Sequence, residues 1–577
     1  MLLLANWTGE TILSGTRPLW NKRMSLHIQP IPPIPDDLAQ VVRQILPATH
    51  PLVVLGDRLS GFVSDESFAD LYPAEGKPAL SPALLAMVTL LQYWEFLSDR
   101  QAAHMVISRL DWKYALHLGL TYAGFDHSVL CEFRQRLLAH DAQARVFDHL
   151  LHALRQAGLL TGKHLQRTDS LAVVAAVRSL SRLELAYETL RLALNQLEAA
   201  DPAWLRAAVP ASWAETYGAW TQHERLVRSK GDAGRAEAER LLQQAGADGQ
   251  WLLDKLAAPD TPAPLRATAA GQRLHQVWVQ QFEGVAGRVR PRTQVDTCGP
   301  ALIQTPHDPD VRYGEHGGKA WQGYLLQWTE TAAPDQPRLI TDVGTTPAGV
   351  ADCQQLDAIQ ARLAQRDLLP DTHLGDLGYV TGETLAASAA RGVNLVGPVR
   401  ADTSPQAHTP GGLTADQFQV DFDRQRAVCP GGQTARTWSV SQNEYGAEVI
   451  HIQFAAATCR ACALHDRCLP TPSGAQRGRS LKLKPTHVLV KQRRQEQTTP
   501  AFKAQYRQRA GVEASLSNAV HEHGARSARY RGLVKTRLHH LFLASAINLK
   551  RAAAWLTGHR PRTQRQPGLR RLAAAPT

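Results

Sequence analysis

Cysteine is scarce in this chain, seven among 577 residues, which excludes the small disulfide-stapled scaffold of secreted proteins. Long apolar runs are also missing. The longest, ALLAMVTLLQYW from Ala83 to Trp94, is interrupted by Thr and Gln and is too short to span a bilayer. The opening MLLLANWTGE is too short for a signal h-region and lacks a basic n-region. These absences lead us to expect a cytoplasmic protein with no membrane partner. Acid is the third shortage, and it is local. Residues 471–577 hold 22 Lys and Arg against 3 Asp and Glu, whereas the first 470 residues hold 42 against 49. The net charge of +12 therefore comes from the last fifth of the chain. Such segregation points to a polyanionic partner, most economically nucleic acid.

What is present suggests several domains. Residues 1–33 read as an irregular lead-in. No periodicity precedes Met24, where a proline-rich stretch opens and where the protein is expected to start. Residues 34–160 read as a helical, DNA-binding-like domain. PDDLAQVVRQIL, SPALLAMVTLLQYWEFL, SDRQAAHMVISRL and DHSVLCEFRQRLLAH each carry apolar residues at helical spacing, three of them behind Asp or Ser. A helix-turn-helix-like module and an ordinary bundle both fit that pattern. HLQRTDSLAVVAAV then alternates as a strand around Asp169, and residues 180–285 return to long helical patterns. Strand signals resume in TQVDTC, WQGYLLQWTE, RLITDVGTT, THLGDLGYV and NLVGPVR, with helical segments between some of them. The alternation implies a mixed α/β domain built from 161–179 and 286–400, split by a helical insertion at 180–285. Residues 401–499 form a cysteine-bearing insertion, 500–556 are helical and basic, and 557–577 read as a disordered basic tail.

One stretch of the basic segment stands out. In YRQRAGVE, Tyr506, Arg509 and Glu513 fall at i, i+3 and i+7 and share a helical face. Beside a phosphodiester, the carboxylate could hold a metal ion while the arginine and tyrosine grip the backbone. A solvated helix with an Arg–Glu pair is the plainer reading. In open α/β sheets, functional groups gather at strand ends. Asp169 and Asp376 both lie on or just after predicted strands, but so do Asp296, Asp342 and Asp352 lie near strands or helix starts. Two-metal phosphoryl transfer needs carboxylates from two or three such points, and oxygen ligands suit Mg²⁺ or Mn²⁺. Spacing alone does not choose among these acids.

Cys429, Cys459, Cys462 and Cys468 give C-x29-C-x2-C-x5-C, and CPGG and CRAC are tight-turn contexts suited to tetrahedral thiolates. A structural Zn²⁺ is the favoured reading over reduced, unligated thiols, with His451 and His465 as alternative ligands. Cys131, Cys298 and Cys353 stand singly and read as buried structural cysteines.

Several motifs occur together in a telling order. They are SDRQAA at 98–103, WKYALHLGL and FDHSVLCEFRQRLL within 112–138, and TDS at 168–170. HDPDVRYGEHGGKAWQGY follows at 307–324, LITDVGTTP at 339–347, GDLGYV at 375–380, LVGPV at 395–399 and SARYRGLVKTRLHHLFLASAINLKR at 527–551. From about Met24 to Leu556 the chain resembles bacterial insertion-sequence DDE transposases, in particular the insertion-sequence family numbered eleven eighty-two. The resemblance implies an RNase H-like mixed sheet with a helical insertion after its first strand, a helical N-terminal module, and a cysteine-bearing insertion before the last catalytic helix. It places the catalytic, Mg²⁺-binding triad on Asp169, Asp376 and Glu513. The signature Tyr-x2-Arg-x3-Glu-x6-Lys matches at Tyr506, Arg509 and Glu513 and departs at Val520, where the pattern has lysine. Tyr506, Arg509, Arg526, Arg529, Arg531 and Lys535 are the implied DNA-binding residues, with His307, Arg312 and Lys319 as secondary candidates for substrate contact. The implied activity is cleavage at the ends of the element and joining of the 3′-OH ends to target DNA, with two Mg²⁺ or Mn²⁺ ions. The implied partners are double-stranded DNA and a second copy of the chain in a synaptic complex, in the bacterial cytoplasm at the nucleoid. A catalytically inactive, transposase-derived DNA-binding regulator is the competing expectation.

Overall fold

The computed structural model describes residues 25–560 apart from 162, 220–221, 286, 294–300, 445 and 470–477. The lead-in through Met24, the tail beyond Arg560, most of the strand expected in TQVDTC, Asp296 and Cys298 lie outside the described residues. The chain divides into two units, one of Met1–Gln92 with Leu97–Ala142, the other of Tyr93–Phe96 with Gln143–Thr577. The break falls at Ala142, ahead of the boundary near 160 suggested by the helical pattern. The reason is that the helix Arg145–Gln156 packs on the helix Leu533–Leu556, and its Asp148 accepts from Arg366 Nε at 2.7 Å.

The first unit is helical. Asp36–Ile45 carries two aspartates in its first turn, where the helix dipole favours them, and buries Leu38 and Val42 four residues apart. These meet Val53 and Tyr114 in a small core. Asp99–Ser108 opens on a capping box between Ser98 and Gln101. In Ser128–Ala139 the inward residues are Leu130, Phe133, Arg134 and Leu137, which leaves Cys131 on the outer face. Cys131 is therefore exposed, not buried as its isolation in the sequence suggested, and Cys353 is only half-buried.

The second unit is built on a six-stranded mixed sheet. Its strands are β1 Leu165–Val174, β2 Arg312–His316, β3 Lys319–Thr331, β4 Ile340–Pro347, β5 Thr372–Leu374 and β6 Asn394–Val396. β1 lies in the middle, antiparallel to β3 and parallel to β5. β2 and β4 share the far edge of β3, and β6 closes the other side parallel to β5. The Leu533–Leu556 helix covers this sheet, and its Asn548 brackets the backbone of Ile340, accepting from N at 2.7 Å and donating to O at 2.8 Å.

Between β1 and β2 the helices Arg182–Ala200, Gly231–Ala257 and Ala269–Gln281 form a cluster with its own core of Leu190, Leu197, Leu252, Leu274 and Trp278. A Cβ at Gly249 would stand 1.9 Å from the Trp278 ring, so glycine there sets how closely two of these helices approach. The segment ends in a hairpin, Phe282–Val285 with Arg288–Pro291, that the helical pattern did not announce. The cysteine-bearing segment holds an antiparallel sheet of Thr437–Gln442, Glu448–Gln453 and Ser480–Leu483 around Phe418, Ile450, Ile452 and Leu481. Helices His487–Glu496, Pro500–Tyr506 and Ala510–His523 follow, the last ending at Gly524 in the left-handed conformation, φ 63°. No helix among the described residues is long and apolar enough to cross a membrane.

Candidate active site

Asp169 sits at mid-strand on β1, opposite Trp328 in the register with β3. Asp376 lies two residues beyond β5, in a turn where its Oδ1 accepts from Gly378 N at 2.8 Å. Glu513 is in the first turn of the Ala510–His523 helix. Arg509 links the strand to the helix, donating from Nη1 to Asp169 Oδ2 at 3.0 Å and from Nη2 to Glu513 Oε1. Its guanidinium also lies over the Tyr506 ring, 5.8 Å from the centroid. The strand-borne aspartate is 14% exposed and the glutamate 56%. Glu513 thus faces solvent while Asp169 lines the floor.

Burial and the neighbouring Asp376 push the Asp169 carboxyl above its ordinary range, against the pull of Arg509. Burial opposes the charge on Arg509, but Asp169, Tyr506 and Glu513 more than compensate and raise it. Burial likewise pushes the Tyr506 hydroxyl up.

The helix start is placed by a buried ionic network absent from the sequence reading. Arg167, two residues before Asp169, donates to Glu330 Oε1 at 2.8 Å and to the carbonyl of Gln508 at 2.6 Å. Arg551 donates to the other oxygen of Glu330 at 2.9 Å and to Ser515 Oγ at 2.8 Å. A Cβ at Gly511 would lie 2.1 Å from Arg167 Nη1, so this glycine is what lets the guanidinium reach the helix. β1 and the Glu513 helix are thereby fixed in one register.

Asp352 is a further acid at this place. It begins the helix Asp352–Gln365, and its Oδ2 accepts from Ser170 Oγ at 3.2 Å. Burial, then Asp376, push its carboxyl up to about 6. The sequence held it only as one of several acids near a helix start, where a dipole-complementing aspartate is ordinary.

A cavity of about 840 Å³, open to solvent, lies in front of Asp169, Asp352 and Asp376. Asp169, Asp352, Asp376, Glu315 and Glu383 line it together with Arg400, Lys482, Lys484 and Arg494. Other residues singled out in the sequence lie elsewhere in this unit. Arg526, Arg531 and Lys535 are exposed, whereas Arg529 lies over the rings of Tyr93 and Phe96, 5.5 and 5.6 Å from their centroids. His307 pairs with Glu188 at 3.0 Å, Arg312 donates to the carbonyls of Pro309 and Val311, and Lys319 stands at the β2–β3 turn.

The donor set suits a hard divalent cation, being carboxylate oxygens alone, with Asp352 Oδ1 buried and lacking a hydrogen-bond partner. As they stand, no three His, Cys, Asp or Glu side chains among the described residues are drawn up closely enough to enclose a metal ion. Arg509 supplies the positive charge between Asp169 and Glu513. The four cysteines line one small pocket. Within it, Cys462 Sγ accepts from Leu464 N at 3.4 Å and Cys459 Sγ from Arg479 N at 3.5 Å, contacts that favour thiolates. A Cβ at Gly431 would lie 3.2 Å from Cys462 Sγ and 3.7 Å from Cys429 Sγ, so these two sulfurs share one wall. Burial raises the Cys468 thiol.

Over residues 428–553 the chain is similar to the family described as Transposase DDE domain. Over residues 40–136 it is similar to the family described as Transposase domain (DUF772). The class these matches define is that of transposases with a DDE domain, and the first match takes in both the cysteine-bearing segment and Glu513. No curated protein and no solved structure matches the chain.

Proposed function

We propose that this protein is a DDE transposase of the insertion-sequence family numbered eleven eighty-two. It would bind the ends of its element, cleave there, and join the freed 3′-OH ends to target DNA. The observation that carries this reading is that Asp169 has Asp376 as a neighbour on one side and is tied through Arg509 to Glu513 on the other. The strand order, with β1 central and β3 antiparallel beside it, supports an RNase H-like core. Arg400 and Lys482 in the cavity lining support a polyanionic substrate, whereas Lys484 and Arg494 there are paired with Glu383 and Asp416.

Asp169, Asp376 and Glu513 would hold Mg²⁺ or Mn²⁺, which supplies Lewis-acid activation of the attacking and leaving oxygens. This chain's own residues do the positioning. Tyr506 and Arg509 hold the backbone phosphate beside the cut, and the buried Arg167–Glu330–Arg551 network keeps the helix from drifting relative to β1. Cys429, Cys459, Cys462 and Cys468 would hold a structural Zn²⁺, and the N–H···S contacts support that donor set. Zinc content by mass spectrometry should fall from about one per chain to near zero in Cys462→Ser. Two copies would act together on two ends.

The test is Mg²⁺-dependent cleavage of labelled DNA carrying the element's ends, comparing wild type with Glu513→Gln. Cleavage by wild type alone, with DNA binding kept in both, is the expected result. Specific binding with no cleavage by either protein would favour the inactive regulator.

A further inference from the structure

The hairpin that closes the helical insertion carries its charge on one side. Its register pairs Glu283 with Arg290 and Val285 with Arg288, and between them Phe282 with Pro291 and Gly284 with Val289. Cross-strand partners share a face and faces alternate along a strand, so both arginines lie on the face opposite to Phe282 and Val289. Phe282 and Val289 pack with the core of the insertion, and a Cβ at Gly246 would stand 2.6 Å from the Phe282 ring. Arg288 and Arg290 are exposed, and neither has a hydrogen-bond or ion-pair partner among the described residues. Glu283, the one acid on their face, is 3.6 Å from Arg292.

Strands of four residues do not hold a ribbon together in water. This one is clamped at its base. Arg182 donates from Nη1 to the Arg292 carbonyl at 2.8 Å and from Nε to Gln281 Oε1 at 2.9 Å, and Arg292 N donates to the Gln281 carbonyl at 2.9 Å. Gln243 of the Gly231–Ala257 helix donates to the Val289 carbonyl. The charge is local as well. Residues 180–281 hold 11 Lys and Arg against 12 Asp and Glu, whereas 282–293 hold three arginines and one glutamate. Keeping a sheet edge from pairing needs only a charge, which lysine supplies. Arginine at alternate positions presents planar forks that match phosphate. Two residues of extended strand set them about 7 Å apart, comparable with the step between neighbouring phosphates along one nucleic-acid strand.

We propose that the Phe282–Pro291 hairpin is a second DNA-binding element, in which Arg288 and Arg290 hold backbone phosphates of double-stranded DNA. This rests on the transposase reading above and adds a contact apart from the basic C-terminal segment. Phosphate contacts position a duplex and carry no sequence information, so the hairpin acts on any duplex alike.

The test is binding of the full chain to labelled duplexes by fluorescence anisotropy over a salt series, one duplex carrying the element's ends and one of unrelated sequence. Arg288→Gln with Arg290→Gln should weaken binding to both by about fivefold to tenfold and reduce the slope of log K against log salt by about two. Arg288→Lys with Arg290→Lys, which keeps the charge, should restore the slope. Arg206→Gln with Arg266→Gln removes the same charge from exposed positions on the insertion's helices and should leave affinity and slope unchanged. Wild-type binding by the hairpin glutamine pair, an equal loss in the helix pair, or a loss confined to one duplex overturns the proposal and leaves the transposase reading standing. A wild-type chain that binds neither duplex overturns both.

Discussion

Arg509 answers two acids at once, and its worth depends on that geometry. Lysine can reach one carboxylate as a point charge but cannot hold Asp169 and Glu513 with separate nitrogens. Arg509→Lys should therefore lower single-turnover cleavage at least tenfold while DNA affinity changes less than threefold. A loss confined to affinity would place Arg509 in binding alone. Arg509→Ala leaves Asp169, 14% exposed, without its counter-charge beside Asp376. We expect a loss of about 1–3 kcal/mol in EDTA, read from denaturant midpoints.

The Ala510–His523 helix owes its position to Arg167 and Glu330, whose side chains are 5% and 1% exposed. Arg167→Met strands Glu330 with Arg551 alone and should cost about 3–5 kcal/mol. Gly511→Ala forces a methyl onto the Arg167 guanidinium and should cost about 1–3 kcal/mol. An unchanged midpoint in Gly511→Ala would mean that Arg167 can leave the helix without penalty. Elements of this kind were partly legible beforehand. Alternation around Asp169 gave β1, and the i, i+3, i+7 spacing put Tyr506, Arg509 and Glu513 on one face, because strand and helix periodicities are local properties. The Arg167–Glu330–Arg551 network was not legible, since it joins residues 163 and 221 positions apart that carry no mark of pairing. Asp352 was indistinguishable from a helix-start aspartate until β1 and the Asp376 turn were set beside it. The break of the helical segment at Gly524 and the hairpin at Phe282–Pro291 depend likewise on what surrounds them.

Across the described residues of the second unit, burial disfavours the charged form of four histidines, His373, His523, His539 and His540. Burial lowers His373 to about 4 and His540 to about 3, and holds His539 well below its ordinary value. Each folded-state value lies beneath the unfolded value near 6.5, so unfolding takes up protons below that pH. Their stability contribution is complete above about pH 6.5 and is lost as pH falls toward 4. The Tm should drop steeply over that interval, and replacing His373 by Gln should flatten the fall. A Tm unchanged between pH 7 and 5 would contradict these burials. The helical insertion, with its separate core, should unfold cooperatively as a fragment of residues 178–310. Failure to show a sigmoidal melt would mean that it needs the sheet.

The central place of β1 sets a timetable for synthesis. Arg167 waits 163 residues for Glu330, and Asp169 waits 340 residues for Arg509. At a translation rate of roughly 5–20 residues per second, those intervals last about 10–30 s and about 20–70 s. Through the first, the apolar end of β1, SLAVV, stands on the ribosome without its neighbours, open to pairing with another nascent chain. The helical insertion is made during that wait and can fold on its own core. A ribosome that stops before Arg509 releases a chain that lacks both the guanidinium that pairs with Asp169 and the Glu513 it would have tied to the strand.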